Sequence, residues 1–271
     1  MTIITISRQA GSLGDEIGKE TARILGYDYI EKVQISEILS GLGFSLSDID
    51  RFDEKKPSVW QSLSTQKELF AHYIRAAVYE LAARRNVVII GRGGQAILKD
   101  IPGALHVRII APYKTRVNRL TEQRSYKERD AQRIIRQRDS DSSGYLSTYF
   151  DADSNDSNLY DLVISTRVLT LKKCVELIAC AVQQDEIQMN PPSSTLLLDL
   201  AIKHKAEAAI LKVTGGGELV NLEIDAGVAS LSGLVESTAE KNNCGKVLME
   251  IQGIKSVRNE LGVRSKDGRI F

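Results

Sequence analysis

Glycines, acidic residues and an arginine lie close together near the start of the chain, in the stretch SRQAGSLGDEI that spans residues 7–17. An apolar, β-branched run precedes this stretch, and apolar residues at helical spacing follow it. A loop between a strand and a helix directs free backbone N–H groups toward one point, where the helix dipole favours negative charge. We therefore expect a phosphate-binding loop that includes Arg8, Gly11, Ser12, Gly14, Asp15 and Glu16.

This loop lacks the lysine of an ordinary P-loop, whose sequence is G-x-x-x-x-G-K-[ST]. Gly14 lies at the lysine position and Asp15 at the position of the hydroxyl residue. Arg8 or another arginine could supply the missing positive charge, and Asp15 could hold Mg²⁺ directly or through water. Two other interpretations stay open: Asp15 and Glu16 could repel a triphosphate, or the segment could be an ordinary strand-to-helix turn.

Another arginine follows a second buried strand pattern, where the sequence VVII leads into Gly91 and Arg92. An arginine at the carboxyl end of a strand can bind a phosphate with two N–H groups at once. That edge of an open α/β sheet is also where ligands bind. Arg92 is therefore a candidate phosphate-binding residue, and the alternative is an arginine in a surface ion pair.

The first part of the chain alternates between strand and helix patterns. Apolar strand patterns cover residues 3–7, 87–91, 105–111 and 162–165, whereas helical patterns cover residues 32–42, 64–84 and 170–183. Such alternation predicts a doubly wound α/β fold with a parallel sheet. In that fold the glycine-bearing loop and Arg92 both follow the carboxyl ends of strands.

A polar segment with the paired prolines Pro191 and Pro192 divides the chain. Paired prolines cannot continue a helix, and the polar composition suits a linker. We predict an α/β nucleotide-binding domain over residues 1–188, followed by a linker and a small α/β domain over residues 189–271.

The predicted second domain combines helices with a short sheet. The strand patterns VNLEI and VASLSGLV flank Asp225, Ala226 and Gly227, and this arrangement predicts a hairpin. Helical patterns cover residues 195–211 and 237–252, and a strand pattern closes the chain near residues 256–262.

Composition narrows the class of protein. The chain has 271 residues, a formal net charge of +1 and 42% hydrophobic residues, which suits a packed core and argues against nucleic acid binding through bulk charge. No stretch approaches the apolar length needed to span a bilayer, and the N-terminus leads directly into a strand instead of a signal peptide. We therefore expect a cytoplasmic protein without a transmembrane segment.

Cysteines and histidines are few. The cysteines lie in apolar helical patterns without metal-ligand spacing and are predicted to be buried free thiols: Cys174, Cys180 and Cys244. The histidines are isolated from one another in the sequence: His72, His106 and His204. No metal site is therefore predicted.

The N-terminal part resembles the cytidylate kinase-like family, whose members commonly carry SRxxGSGGREI in place of a normal P-loop. This chain reads SRQAGSLGDEI, in which Leu13 replaces a glycine and Asp15 an arginine. Gly91 and Arg92 fall where nucleoside monophosphate kinases present a substrate-binding arginine. The resemblance implies a P-loop kinase-like three-layer domain with a parallel sheet, and ATP and Mg²⁺ as cofactors.

Residues 127–141 resemble the lid of these kinases and contain Arg133, Arg136 and Arg138. In related kinases the lid folds over the donor phosphates, and its arginines neutralise the charge that spreads over the transferred phosphoryl group. The resemblance thus implies a catalytic role for these three arginines. The alternative is a charged helix whose arginines only face solvent.

The C-terminal part resembles the BON domain. The runs LEIDAGVASLSGLV and IQGIKSVRNELGV contain the expected residues in order: Gly227, Leu231, Gly233, Gly253, Val257 and Asn259. The resemblance implies a binding or oligomerising module, which would contact a protein or phospholipid partner through residues 193–263 or form a homo-oligomer.

Three functions are compatible with these patterns. The leading hypothesis is a cytidylate kinase-like phosphotransferase that uses ATP and a nucleoside monophosphate or another small acceptor. The alternative is a catalytically inactive nucleotide sensor that signals through the BON-like domain. In the third hypothesis, the N-terminal domain is only a scaffold for assembly through the C-terminal domain.

Overall fold

A computed structural model of the protein describes residues 2–44, 49, 64–124, 126–188, 194–216 and 220–264. The chain forms two compact units, each built from two separated stretches of sequence. The first unit comprises Met1–Ser58 and Arg84–Pro192, and the second comprises Val59–Ala83 and Ser193–Phe271. A helix from the N-terminal part of the sequence thus groups with the C-terminal residues, whereas the domain limits 1–188 and 189–271 stay a prediction.

The described strands are short, and most of the described helices are longer. The strands are β1 (Ile3–Arg8), β2 (Asp28–Ile30), β3 (Val87–Ile90), β4 (Ala104–Ile110), β5 (Leu162–Ser165), β6 (Val220–Asp225), β7 (Val228–Val235), β8 (Ser256–Asn259) and β9 (Gly262–Val263). The helices are α1 (Gly14–Leu25), α2 (Lys32–Gly41), α3 (Ser64–Ala82), α4 (Gly94–Ile97), α5 (Tyr113–Arg124), α6 (Glu128–Phe150), α7 (Leu171–Val182), α8 (Asp185–Gln188), α9 (Ser194–Thr214) and α10 (Thr238–Met249).

The first unit is organised around a parallel sheet in the order β2-β3-β1-β4-β5. The apolar run of β1 is buried on both faces, as expected for the central strand of such a sheet. The predicted parallel α/β sheet is confirmed, and the four predicted strands are all present. β2 was not predicted, because it has only three residues and is partly exposed.

Helices α1 and α7 pack their apolar faces against the sheet. Ile17 of α1 and Ile178 of α7 belong to the same buried cluster as Ile4 and Ile6 of β1. α1 lies so close to the sheet that a Cβ atom at Gly18 would come within 2.4 Å of a side-chain carbon of Ile90. This packing holds the start of α1 near the carboxyl end of β1, after the loop of residues 9–13.

Residues 127–141, predicted as a lid, lie mainly in the first half of α6, which continues as one helix for 23 residues to Phe150. One face of α6 is apolar and buried, for example at Ala131, Ile135 and Leu146. Arg133, Arg136 and Arg138 are exposed on other parts of the helix surface. The lid-like sequence is therefore part of a long amphipathic helix in this conformation.

The second unit has a mixed sheet in which β6 and β7 form an antiparallel hairpin, and β8 and β9 pair with β7 in parallel. Ala226 and Gly227 have φ values of 47° and 86°, as a two-residue turn of the I′ kind requires. The predicted hairpin is confirmed. Helices α9 and α10 cover this sheet with residues such as Ile210 and Leu248.

Cys174 and Cys244 are buried, whereas Cys180 is exposed, and all three are free thiols. The prediction of a buried thiol was wrong for Cys180, because this residue lies on the side of α7 opposite the buried Ile178. Among the described residues, no helix combines the length and apolar character that a membrane span requires.

Candidate functional site

The residues predicted to bind phosphate lie at the carboxyl edge of the first unit's sheet. The loop of residues 9–13 leaves β1 and enters α1, and Arg92 follows β3 at the same edge. Because the strands are parallel, loops that are distant in sequence meet here. The fold thus places the loop and Arg92 at the same carboxyl edge of the sheet.

Three consecutive carbonyl oxygens of the loop accept hydrogen bonds from side chains beyond β4 and β5. The donor atoms lie 3.0 to 3.2 Å from these oxygens: Arg116 for Ala10, Arg119 for Gly11 and Thr166 for Ser12. Arg119 also donates to the Thr166 hydroxyl at 2.8 Å. The loop is therefore held through its carbonyl groups.

This anchoring determines the direction of the loop amides. In a planar trans peptide the N–H group points away from the C=O group, so the amides of Gly11 and Leu13 point away from Arg116 and Thr166. Among the residues that the structure describes, none accepts a hydrogen bond from either amide. The first N–H groups of α1 also have no intrahelical acceptor. The loop and the start of α1 thus present backbone N–H groups without an acceptor among the described residues.

Leu13 has a strained backbone conformation, and Ser12 has a buried hydroxyl group without a partner among the described residues. Leu13 precedes α1 in a left-handed conformation with φ 68°, which costs a non-glycine residue about 1 kcal/mol. Ser12 is completely buried, and its hydroxyl oxygen has no hydrogen-bond partner among the described residues. Strain and an unsatisfied polar atom are typical of sites that a ligand completes.

Arg8 occupies the space where a side chain at position 14 would lie. A Cβ atom at Gly14 would be only 2.3 Å from the Cβ atom of Arg8. From there the Arg8 guanidinium group reaches Asp15, with 2.7 Å between Nε and Oδ1. Glycine at position 14 therefore permits an arginine from the end of β1 to cross the start of α1.

Arg8 and Arg92 line the same cavity, together with residues from the second half of α6. Arg92 is 8% exposed and has a φ of 57°, between the positive φ values of Gly91 and Gly93. A left-handed arginine between two glycines is an uncommon backbone conformation. The turn after β3 thereby places a largely buried cation beside Arg8.

A second cavity of about 170 Å³ lies next to the first and shares Arg8 with it. Arg108 of β4 lines this cavity, is 9% exposed, and donates to the Tyr160 hydroxyl at 2.8 Å. Sequence reasoning missed this residue. The available signal was a charged residue inside the apolar strand pattern HVRII, where an arginine needs a specific reason to be buried.

Asp139 links α6 to the loop. Its carboxylate accepts a hydrogen bond from Arg116 at 2.7 Å and one from the Ala10 amide at 3.4 Å. Arg116 is 5% exposed and also donates to the Ala111 carbonyl. One buried guanidinium group thus connects α5, α6 and the loop.

Arg133, Arg136 and Arg138 are exposed on α6. Arg133 is 77% exposed and its nearest carboxylate oxygen, on Asp130, is 3.9 Å away. None of these three arginines is among the described residues that line the two cavities. Their predicted catalytic role stays a prediction.

The fold and the edge site together define a P-loop kinase-like α/β architecture, with a parallel five-stranded sheet and a glycine-bearing loop after its central strand. Comparison of the chain with family models matches residues 3–168 to the Cytidylate kinase-like family. The chain therefore belongs to this family, which supports a nucleotide kinase-like function. The match does not extend to the second unit's C-terminal stretch, where the BON-like assignment stays a prediction.

Three proteins from other organisms are similar to parts of this chain. The chain is 29% identical over 173 residues to a cytidylate kinase from Methanocella arvoryzae, covering 60% of this chain and 87% of the relative. It is 23% identical over 180 residues to a cytidylate kinase from Pyrobaculum islandicum, covering 65% of this chain and 90% of the relative. A solved structure of an uncharacterized protein from Eubacterium ventriosum has a similar fold, with a TM-score of 0.55, 20% identity, and coverage of 68% of this chain and 99% of that one.

Proposed function

We propose that the protein is a nucleotide kinase-like phosphotransferase that uses ATP as the donor and a nucleoside monophosphate, such as CMP, or another small molecule as the acceptor. The observation that carries this proposal is the loop itself. Side chains hold its carbonyls at residues 10–12, and the amides of Gly11 and Leu13 have no acceptor among the described residues. This is an arrangement suited to phosphate groups.

Arg8 takes over the role of the missing lysine. A lysine at position 14 would reach the donor phosphates from the start of α1, and Arg8 crosses that same position. Its guanidinium group can bind two phosphate oxygens at once. Asp15 orients Arg8 through their ion pair. Gly11, Ser12 and Gly14 let the chain pass close to the phosphates, and Glu16 lies in the first turn of α1.

Arg92 binds the acceptor phosphate in this proposal. It lines the same cavity as Arg8, so that the two cations would hold the acceptor and donor phosphates next to each other. Phosphoryl transfer depends mainly on positioning and on neutralising negative charge. Two arginines at one cavity supply both contributions without a general base.

Mg²⁺ would bind mainly through the phosphates and water. Asp15 and Asp139 lie near the loop, but each already pairs with an arginine. Mg²⁺ commonly keeps several water ligands and takes only one or two carboxylates in such sites. When bound, Mg²⁺ would neutralise charge on the donor phosphates.

Arg133, Arg136 and Arg138 act in the proposal only if the first half of α6 moves. They face solvent in this conformation, whereas the second half of α6 lines the cavity. Movement of the first half toward bound ATP would bring their charges to the transferred phosphoryl group.

The second unit would serve as the BON-like module that binds a protein or phospholipid partner or a second copy through residues 193–263.

The second candidate function is a nucleotide sensor without turnover. The observation that favours it is the Arg8–Asp15 ion pair, which already neutralises part of the positive charge at the loop. Such a loop would bind a nucleotide yet stabilise the transition state poorly. Ligand binding would then change the conformation of α6, and the BON-like module would pass this change to a partner.

Calorimetric titration with ATP and Mg²⁺ and with CMP, followed by a phosphoryl-transfer assay, tests both functions. The kinase proposal expects binding of both nucleotides and formation of CDP. Binding without product at high enzyme concentration would support the sensor and contradict the kinase. Absence of binding would contradict both and favour a scaffold.

Arg92→Ala tests the acceptor site. We expect at least a tenfold weaker affinity for CMP, because a charged hydrogen bond to phosphate is lost, and little change in ATP affinity. Arg23→Ala is the matched control, since Arg23 pairs with Glu20 on the exposed side of α1. Unchanged CMP affinity in folded Arg92→Ala would exclude Arg92 from the acceptor site.

A further inference from the structure

Two histidines and a glutamate meet inside the second unit, although the sequence separates the histidines by 132 positions. His72 lies on α3, and His204 and Glu207 lie on α9. His72 Nδ1 and His204 Nδ1 are 3.2 Å apart. Glu207 Oε2 lies 2.7 Å from His204 Nδ1 and 3.1 Å from His72 Nδ1.

Helical geometry explains why His204 and Glu207 are close together, and helix packing explains why His72 joins them. Residues three apart share one face of a helix, so His204 and Glu207 point the same way from α9. α3 packs along α9 within the second unit and brings His72 to that face. Tyr79 of α3 stacks on His204 with 5.7 Å between ring centroids, which fixes the plane of the imidazole.

The spacing of the three atoms suits a metal ion. Nitrogen and oxygen ligands at about 2.0–2.1 Å from zinc lie roughly 2.8–3.0 Å from their neighbours in octahedral geometry and roughly 3.3–3.4 Å apart in tetrahedral geometry. The observed separations are 2.7, 3.1 and 3.2 Å. A point about 2 Å from all three atoms therefore exists roughly 1 Å outside their plane.

Hydrogen bonds alone do not satisfy this triangle well. A neutral imidazole carries one N–H group and one acceptor nitrogen. If both Nδ1 atoms donate to Glu207, two N–H groups face each other across 3.2 Å; if only one donates, the other ring nitrogen turns a lone pair toward the carboxylate. A cation in the centre would instead accept a lone pair from each of the three atoms.

A nearby cation restricts the charge of the ion that can bind. The ammonium group of Lys203 lies 4.0 Å from Glu207 Oε1, the other oxygen of this carboxylate. This positive charge opposes a highly charged ion. A divalent ion bound through Oε2 and two imidazoles is the occupant that the donor set favours.

We propose that His72, His204 and Glu207 bind a divalent transition metal of the zinc type, which joins α3 to α9. Three protein ligands leave at least one coordination position for water. Such an ion would stabilise the second unit, because its ligands come from two stretches of chain that are distant in sequence.

The test uses the full-length protein after removal of metals with a chelator. Titration with Zn²⁺ should give saturable binding of one ion per chain and a rise in the melting temperature with zinc concentration. Co²⁺ should bind competitively and give the visible absorption of a low-symmetry site. His72→Ala and Glu207→Gln should each weaken Zn²⁺ binding by about 100-fold or more, since even loss of an outer-shell partner costs 10–100-fold.

Matched controls separate the site from general metal binding and from misfolding. Glu80→Gln removes a carboxylate on α3 that pairs with Lys205 outside the cluster, and Cys180→Ser removes an exposed thiol; both should keep wild-type zinc affinity. Circular dichroism of the metal-free Glu207→Gln variant checks that it folds. No saturable binding by the wild type, or equal binding by folded Glu207→Gln, would overturn the proposal.

Discussion

The contact between Arg8 and Gly14 links the chemistry of the loop to its geometry. A residue larger than glycine at position 14 would collide with the Cβ atom of Arg8 at 2.3 Å, close to the backbone, where the side chain cannot move aside. Position 14, which carries lysine in ordinary P-loops, therefore has no room for a side chain in this protein. The side chain of Arg8 takes the place that the lysine side chain would have.

Gly14→Ala should therefore displace Arg8 and weaken binding of ATP with Mg²⁺ by about tenfold or more, the equivalent of one charged hydrogen bond. Overpacking should also lower the free energy of unfolding by about 1–3 kcal/mol. Calorimetric titration and urea denaturation measure the two effects.

Gly41→Ala serves as the control for this substitution. Gly41 ends α2, and among the described residues no atom outside its own stretch of helix lies within 4 Å of a Cβ added there. Stability should stay the same or rise by up to about 1 kcal/mol, because alanine favours the helix. Equal ATP affinity in Gly14→Ala and wild type would show that Arg8 does not depend on position 14.

At the scale of elements, Arg116 connects α5 and α6 to the loop. It is 5% exposed and donates to the carbonyls of Ala10 and Ala111 and to the Asp139 carboxylate. A buried cation with several acceptors stabilises a fold mainly because each acceptor would be left unsatisfied without it. The orientation of the loop amides depends on this same side chain.

Arg116→Ala should lower the free energy of unfolding by about 2–4 kcal/mol, because two carbonyls and one carboxylate lose their donor. Binding of ATP should weaken as well, since the loop is no longer held. Urea denaturation followed by circular dichroism measures the first effect, and calorimetric titration the second.

Arg133→Ala is the comparison on α6. Its side chain is 77% exposed, so stability should change by no more than about 0.5 kcal/mol. If Arg133 has its predicted catalytic role, phosphoryl transfer should still fall in this variant. If Arg133→Ala lost as much stability as Arg116→Ala, the prediction that only the buried Arg116 stabilises the fold would be wrong.

At the scale of the molecule, each compact unit contains a histidine that the fold keeps largely away from water. Burial lowers the pKa of His106, and it likewise lowers the pKa of His204. His106 Nδ1 also shares a hydrogen bond of 2.8 Å with the hydroxyl group of Thr5. In the unfolded chain both groups would titrate near the ordinary value of 6.5. The folded chain then binds fewer protons than the unfolded chain below that pH.

The free energy of unfolding should therefore decrease as the pH falls below about 6.5, because the unfolded state gains protons that the folded state does not accept. Urea denaturation at several pH values between about 7.5 and 5.5 measures this slope. The double variant His106→Gln with His204→Gln should show a flatter profile. A stability that rises on acidification in this range would contradict the prediction.

Much of the fold followed from local patterns. Apolar runs predicted β1, β3, β4 and β5 within a residue or two, because backbone preferences and burial act over a few neighbouring positions. The alternating strand patterns on either side of Asp225, Ala226 and Gly227 predicted the hairpin, and Gly227 suits a turn position that needs positive φ. The short, partly exposed β2 gave no comparable signal.

The sequence by itself determined which residue types were available at the loop, and its motif indicated the Cytidylate kinase-like family. Only the tertiary structure decided their partners: that Arg116, Arg119 and Thr166 hold the loop carbonyls, and that Arg8 lies over Gly14. It also decided that His72 meets His204. These contacts join positions far apart in the chain, and they depend on how whole elements pack, which no local pattern specifies.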